Sequence, residues 1–204
     1  MRIICTVIAL SILIVPGLIA VGENGQTNKN ASVFEGDKFA YVIYPPNGFK
    51  LVTDEAADSG YSLAFIPKGQ TYSNANIIID VNVFKVKNKS ADDSYLKELI
   101  KDDINQMRGH FGRGLTIRAV DSVYNTNKRL LPTFYFDDPS RFIPTVMMSY
   151  FNGESEIIIF QLSIGKNQPR VKAEEVFLNC VSAFKSLIKE DIEQRNLRLK
   201  ADNK

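Results

Sequence analysis

Few residues of this chain combine the types and spacing that chemistry requires. The single histidine, His110, sits in Gly109-His110-Phe111-Gly112-Arg113-Gly114. A general base needs an orienting carboxylate and a nucleophile within reach, and no nucleophile motif stands nearby. Zinc takes three or four ligands, which one His and Cys180 do not supply. The segment fits a helix C-terminus better. Its glycines would take left-handed conformations there, and His110 and Arg113 would favour the negative end of the helix dipole. It is not a phosphate loop either, because it follows a helical pattern and precedes a strand.

Carboxylate pairs occur at Asp102-Asp103 and Asp137-Asp138. The first lies among lysines on a helical pattern and the second opens the turn Asp137-Asp138-Pro139-Ser140. A solvated face and a turn account for both, since calcium wants a denser array of oxygens at defined loop spacing. Phe134-Tyr135-Phe136 and Tyr150-Phe151 could stack bases. With net charge +2 and no basic stripe, they read as core and sheet face, and no nucleic-acid partner is expected. Cys180 recurs with Val176, Phe177, Val181, Phe184 and Leu187 at helical spacing, which places it on an apolar face. A reactive thiol would want exposure and a nearby base.

One segment stands apart. Pro67-Lys68-Gly69-Gln70-Thr71-Tyr72-Ser73-Asn74 mixes a cation, an aromatic and amides between two strands, as recognition loops do. Lys68, Gln70, Tyr72 and Asn74 are the candidate binding residues, with Tyr72 as the anchor. The plainer reading is a polar connection in which Tyr72 covers the end of the sheet. No catalytic residue, metal ligand or cofactor is expected.

These residues need a scaffold, and 204 residues at 45% hydrophobic and 24% charged can build one. That length suggests a single domain with a sizeable core. Phe39 to Tyr44, Phe49 to Val52 and Gly60 to Ile66 read as strands, with Pro45-Pro46-Asn47-Gly48 returning the chain between the first two. Asn76 to Val86 is the strongest strand, with Ile79, Val81 and Val83 alternating against Asp80 and Asn82. A helix then starts at a capping box of Ser90 and Asp93. It carries the stripe Leu96, Leu99, Ile100, Ile104 and Met107, and Gly109 ends it. Four strands follow at Leu115 to Val123, Arg129 to Phe136, Thr145 to Asn152 and Glu156 to Ile164, the last two joined by the hairpin signal Asn152-Gly153. Pro169 introduces a second helix that runs through Ile188. Hairpin turns without regular βαβ alternation predict an α+β domain, an antiparallel sheet with helices packed on it.

The N-terminus carries an address. Met1-Arg2 is a minimal basic region, Ile3 to Val15 is apolar, and Pro16-Gly17 breaks the helix before Ala20-Val21-Gly22. Small residues at Ala20 and Gly22 favour cleavage before Glu23. The alternative is a retained N-terminal anchor, since Ile3 to Val21 is about long enough to span a bilayer. The expected organisation is a signal peptide over 1–22, a flexible leader over 23–37, a domain over 38–188 and a charged tail over 189–204. Cleavage would remove Cys5, leaving Cys180 alone, with no internal disulfide and no membrane span in the mature chain.

Tyr61 to Val83 (YSLAFIPKGQTYSNANIIIDVNV) also carries a resemblance. Its "AF-x-PKG" turn, the following Tyr72 and Asn74, and the apolar strand ending in Val81-Asn82-Val83 resemble exported bacterial proteins of the PsbP-like superfamily. The likeness continues through Leu96 to Met107 (LKELIKDDINQM) and would cover about Phe39 to Ile188. It implies an α/β/α sandwich with a central, mostly antiparallel sheet. It also implies action by binding a partner or supporting assembly rather than by catalysis. The resulting expectation is an exported, non-enzymatic binding or accessory protein, periplasmic or secreted, with a protein partner in the envelope or outside the cell. A small-ligand carrier with a pocket between sheet and helix, and a hydrolase with an unrecognised site, are the alternatives.

Overall fold

The computed structural model describes residues 31–86, 93–112, 114–137, 145–153, 155–165, 168–189 and 191. The expected signal peptide, most of the leader and nearly all of the charged tail lie outside them. The described chain runs β1 (Ser32–Glu35), β2 (Phe39–Ile43), β3 (Phe49–Val52), α1 (Asp54–Asp58), β4 (Leu63–Pro67), β5 (Ile77–Lys85) and α2 (Asp93–Phe111). It continues through β6 (Thr116–Val120), β7 (Thr133–Asp137), β8 (Thr145–Asn152), β9 (Glu156–Ile164), α3 (Arg170–Ala183) and β10 (Lys185–Ile188).

Alternation builds the main sheet. Seven antiparallel strands lie in the order β3-β4-β5-β9-β8-β7-β6. Its central strands carry apolar residues on both faces, with Asp80, Asn82 and Gln161 as polar exceptions on one of them, so side chains of opposite parity face opposite layers. On one side Phe65, Ile79, Phe160 and Leu162 meet Ala173, Phe177, Cys180 and Val181 of α3. On the other, Phe136, Met148, Tyr150, Ile157 and Ile159 meet Leu96 and Ile100 of α2. The result is the expected α+β architecture, one long helix on each face of the sheet. Asn152-Gly153 closes the β8–β9 hairpin as its sequence predicts, with the Gly153 N–H donating to the Glu156 carbonyl at 2.8 Å.

A second sheet, β1-β2-β10, departs from expectation. Ser32–Glu35, assigned by sequence to the flexible leader, pairs with β2 from Ser32↔Ile43 to Glu35↔Ala40. The second helix stops at Ala183 instead of reaching Ile188. Phe184 then turns extended (φ −58°, ψ 138°) and Lys185–Ile188 pair with β2. Apolar residues at 184, 187 and 188 suit either conformation, so helical spacing alone extended the helix too far. Pro45–Gly48 likewise turns the chain without returning it. β2 stays in the small sheet while β3 becomes an edge of the large one, because turn chemistry fixes a change of direction and not a partner.

The two sheets are joined by a buried carboxylate. Glu156, fully buried at the start of β9, accepts from the Tyr41 hydroxyl at 2.8 Å and from the Asp37 N–H at 2.7 Å. The packing is close enough that a Cβ on Gly153 would collide with the Tyr41 hydroxyl, and one on Gly36 with the Glu156 carboxylate.

The first long helix also ends later than its sequence suggests. It passes through Gly109 to Phe111, and Gly112 takes the left-handed turn (φ +89°) that stops it. Gly109 is tolerated inside the helix at a modest propensity cost. The expected cap at Ser90 lies outside the described residues. Two short elements, α1 and a 3-10 turn at Tyr72–Asn74, have no clear periodic signal, being only one turn long.

Candidate functional site

The loop between β4 and β5 is fixed by its own side chains. Gly69 adopts φ +84°, and the Gln70 N–H bonds back to the Pro67 carbonyl at 3.2 Å. Gln70 Oε1 accepts from the Asn76 N–H at 3.0 Å. Asn74 Oδ1 accepts from the Thr71 N–H at 2.8 Å and completes a capping box around the 3-10 turn. Of the four candidate residues, Gln70 and Asn74 thus spend their carbonyl oxygens on shaping the loop. Lys68 is exposed, and its N–H is tied to the Gly48 carbonyl at 2.9 Å.

Tyr72 points back to the sheet. It is half-buried, its N–H donates to Glu55 Oε2 at 3.3 Å, and its hydroxyl donates to Asp80 Oδ1 at 2.9 Å. The plainer sequence reading, a tyrosine over the sheet, is therefore half of what it does. The other half is to hold a buried acid.

Asp80 is 3% exposed. Alternation puts Ile79 and Val81 toward α3, so Asp80 faces the other way, across from Gln161 of β9, which pairs in turn with Met148 of β8. Gln161 Nε2 donates to the Tyr61 hydroxyl at 3.3 Å. Beside this group Ser62 donates to Asn82 Oδ1 at 3.3 Å and accepts from the Val83 N–H. The exposed acids Asp54, Glu55 and Asp58 of α1 lie next to it in the chain, and Glu55 reaches the Tyr72 backbone.

The electrostatics follow from burial. Loss of solvent pushes the Asp80 carboxyl up to about 6, against the opposing pull of the Tyr72 hydrogen bond. Burial and then the Asp80 charge raise the Tyr72 and Tyr61 hydroxyls above the ordinary phenol range. Among the described residues Asp80 forms no ion pair. Buried carboxylates are ordinarily paired or bound to metal. Sequence reasoning placed Asp80 on the polar face of its strand and did not single it out, nor Tyr61 or Gln161. A polar residue inside Ile77 to Val83 was the available signal, because a central strand is covered on both faces.

The other candidates are dispersed. Asp103 accepts from the Tyr150 hydroxyl at 3.0 Å, and burial raises its carboxyl above the usual range. Arg170 donates to Asp137 Oδ1 at 2.7 Å and to the Tyr135 hydroxyl at 3.1 Å. Residues 138–140 and Arg113 lie outside the described residues, and His110 is described only as a position in α2. Tyr135, Phe136, Tyr150 and Phe151 are buried, as core residues should be. Cys180 is 2% exposed; its thiol faces the Tyr44 carbonyl at 3.7 Å and burial pushes it up to about 12. Among the described residues no group of three His, Cys, Asp or Glu is placed to hold a metal, and no helix is long and apolar enough to cross a membrane.

No family model matches the chain, and a search of curated proteins gives no match. Among solved structures the chain is similar to the solution structure of cyanobacterial PsbP from Synechocystis, with a TM-score of 0.50. The two are 13% identical, and the match covers 82% of this chain and 98% of that one. At this identity the likeness shows the fold, which is PsbP-like, as the resemblance around Tyr61 to Val83 implied.

Proposed function

We propose that this protein is an exported, non-enzymatic binding or accessory protein that engages a protein partner through the β4–β5 loop and the Asp80 cluster beneath it. The observation that carries this reading is a buried carboxylate, without an ion pair among the described residues, at the foot of a loop held by its own hydrogen bonds. A loop fixed before binding loses little entropy when a partner docks. A PsbP-like fold is compatible with an accessory role. Export rests on the apolar run Ile3 to Val15 and on Ala20 and Gly22. The site of action would be the periplasm, the cell envelope or the extracellular space.

Two measurements test this. N-terminal sequencing of protein recovered from the envelope or medium should begin at Glu23; recovery of intact Met1 to Gly22 in a membrane fraction would instead establish the anchor. Immobilised mature protein should capture a partner from an envelope extract, and Tyr72→Ala should weaken capture by about tenfold or more. Lys68→Ala, which removes only a rim charge, should change it by at most about fivefold. Because Tyr72 is half-buried, capture is compared at a temperature where both variants are fully folded. Equal capture by folded Tyr72→Ala would remove the loop from the binding surface.

A further inference from the structure

We infer that Asp80, Tyr61 and Tyr72 form a receptor for one alkyl cation, the ammonium or guanidinium group of a lysine or arginine side chain on the partner. This rests on the proposal that the loop recognises a protein and adds what chemistry it recognises.

Three observations converge. Asp80 is 3% exposed and its Oδ1 takes one hydrogen bond, from Tyr72. The cations of the surrounding elements, Lys50 of β3 and Lys68 of the loop, form no ion pair with it. A carboxylate so placed gains more from an incoming cation than a solvated one would, because the surrounding dielectric is low.

The neighbouring oxygens suit the same guest. The Tyr72 hydroxyl donates to Asp80 and also meets the Ser59 side chain; the Tyr61 hydroxyl accepts from Gln161, and its oxygen can accept a further N–H. An ammonium with three donors, or a planar guanidinium, can satisfy several such acceptors together. Phenol rings also tolerate a cation near their faces.

The approach carries the complementary charge. Asp54, Glu55 and Asp58 are exposed on α1, and Glu55 is fastened to the Tyr72 backbone at 3.3 Å. Against these stands the exposed Lys68. Acidic side chains on the helix that holds the loop attract a basic side chain and repel an acidic one.

The test titrates the purified protein with n-butylguanidinium and n-butylammonium chloride at constant ionic strength, with n-butylurea as the neutral isostere. NMR reads the side chains of Tyr61, Tyr72 and Gln161. Saturable shifts centred on these residues are expected with one or both cations and not with the urea, and the stronger cation identifies the side chain. Asp80→Asn keeps the shape and removes the charge, and should weaken cation binding at least about tenfold. Circular dichroism of Asp80→Asn checks that it is folded, so loss of binding there is not loss of fold. Absence of saturable shifts, equal binding of butylurea, or undiminished binding by Asp80→Asn would each overturn the inference. Should capture of the partner still depend on Tyr72 in that case, the recognition surface stands and only its cation chemistry falls.

Discussion

Phe184→Ala is expected to lower the free energy of unfolding by about 3–5 kcal/mol, as large-to-small changes at closed aromatic sites do. Phe184 is fully buried. Its ring centroid lies 4.8 Å from Phe151 and 5.5 Å from Phe160, both edge-on, and 6.1 Å from Tyr41 in a stacked arrangement. These rings belong to β8, β9 and β2, so one side chain joins the large sheet to the small one. Its backbone carbonyl accepts from the Thr126 N–H at 3.2 Å, fixing the kink between α3 and β10. Truncation leaves a cavity that three strands in two sheets cannot jointly close. Denaturant unfolding followed by fluorescence and circular dichroism checks this. A loss below about 1 kcal/mol would mean that the junction repacks and does not depend on this ring.

The second large effect has the opposite sign at neutral pH. Folding raises the Asp80 carboxyl to about 6 from an ordinary value of about 3.9. The folded state therefore holds the proton more tightly than the unfolded chain. The contribution of this group is fully present below about pH 4 and is lost as pH rises through about 6. The gap corresponds to about 2–3 kcal/mol at about 1.4 kcal/mol per pH unit. Asp80→Asn holds the position neutral and leaves an oxygen to accept from Tyr72. It should be about 2 kcal/mol more stable than the natural protein at pH 7.5 and nearly equal to it at pH 4. Asp103, raised in the same direction by burial, is common to both and cancels in the difference. Equal stability gaps at the two pH values, or a variant weaker at pH 7.5, would refute a desolvated acid at this position. A charge that costs stability in a sheet is the kind of conflict that functional sites tend to carry, which accords with the recognition role proposed for Asp80.

Local pattern determined much of this protein. Alternation from Ile79 to Val83, the stripe Leu96, Ile100, Ile104 and Met107, and the Asn152-Gly153 turn each encode their element without reference to anything distant. Phe177, Cys180 and Val181 marked the inward face of the last helix for the same reason. Together they fixed an antiparallel α+β domain, and the residues from Tyr61 to Val83 carried its PsbP-like character. The loop from Lys68 to Asn74 was also visible, because a cation, an aromatic and amides in a turn stand out by type alone.

Partnership between distant strands was decided only in three dimensions. Ser32–Glu35 looks like polar leader and Lys185–Ile188 like the end of a helix. Both are strands because β2 offers two open edges, and an edge recruits whatever chain is brought beside it. Tyr72 and Asp80 show the same limit at the site. From sequence, Tyr72 was either a binding anchor or a cover for the sheet end, and Asp80 was one of two polar residues alternating with Ile79, Val81 and Val83. Pairing of β5 with β9 placed Gln161 beside Asp80, and the capped turn at Thr71–Asn74 swung the Tyr72 hydroxyl down onto it. Burial, and with it the raised affinity of Asp80 for a proton, depends on contacts that no local pattern encodes, so the chemistry of the site emerged only when the sheet closed over it.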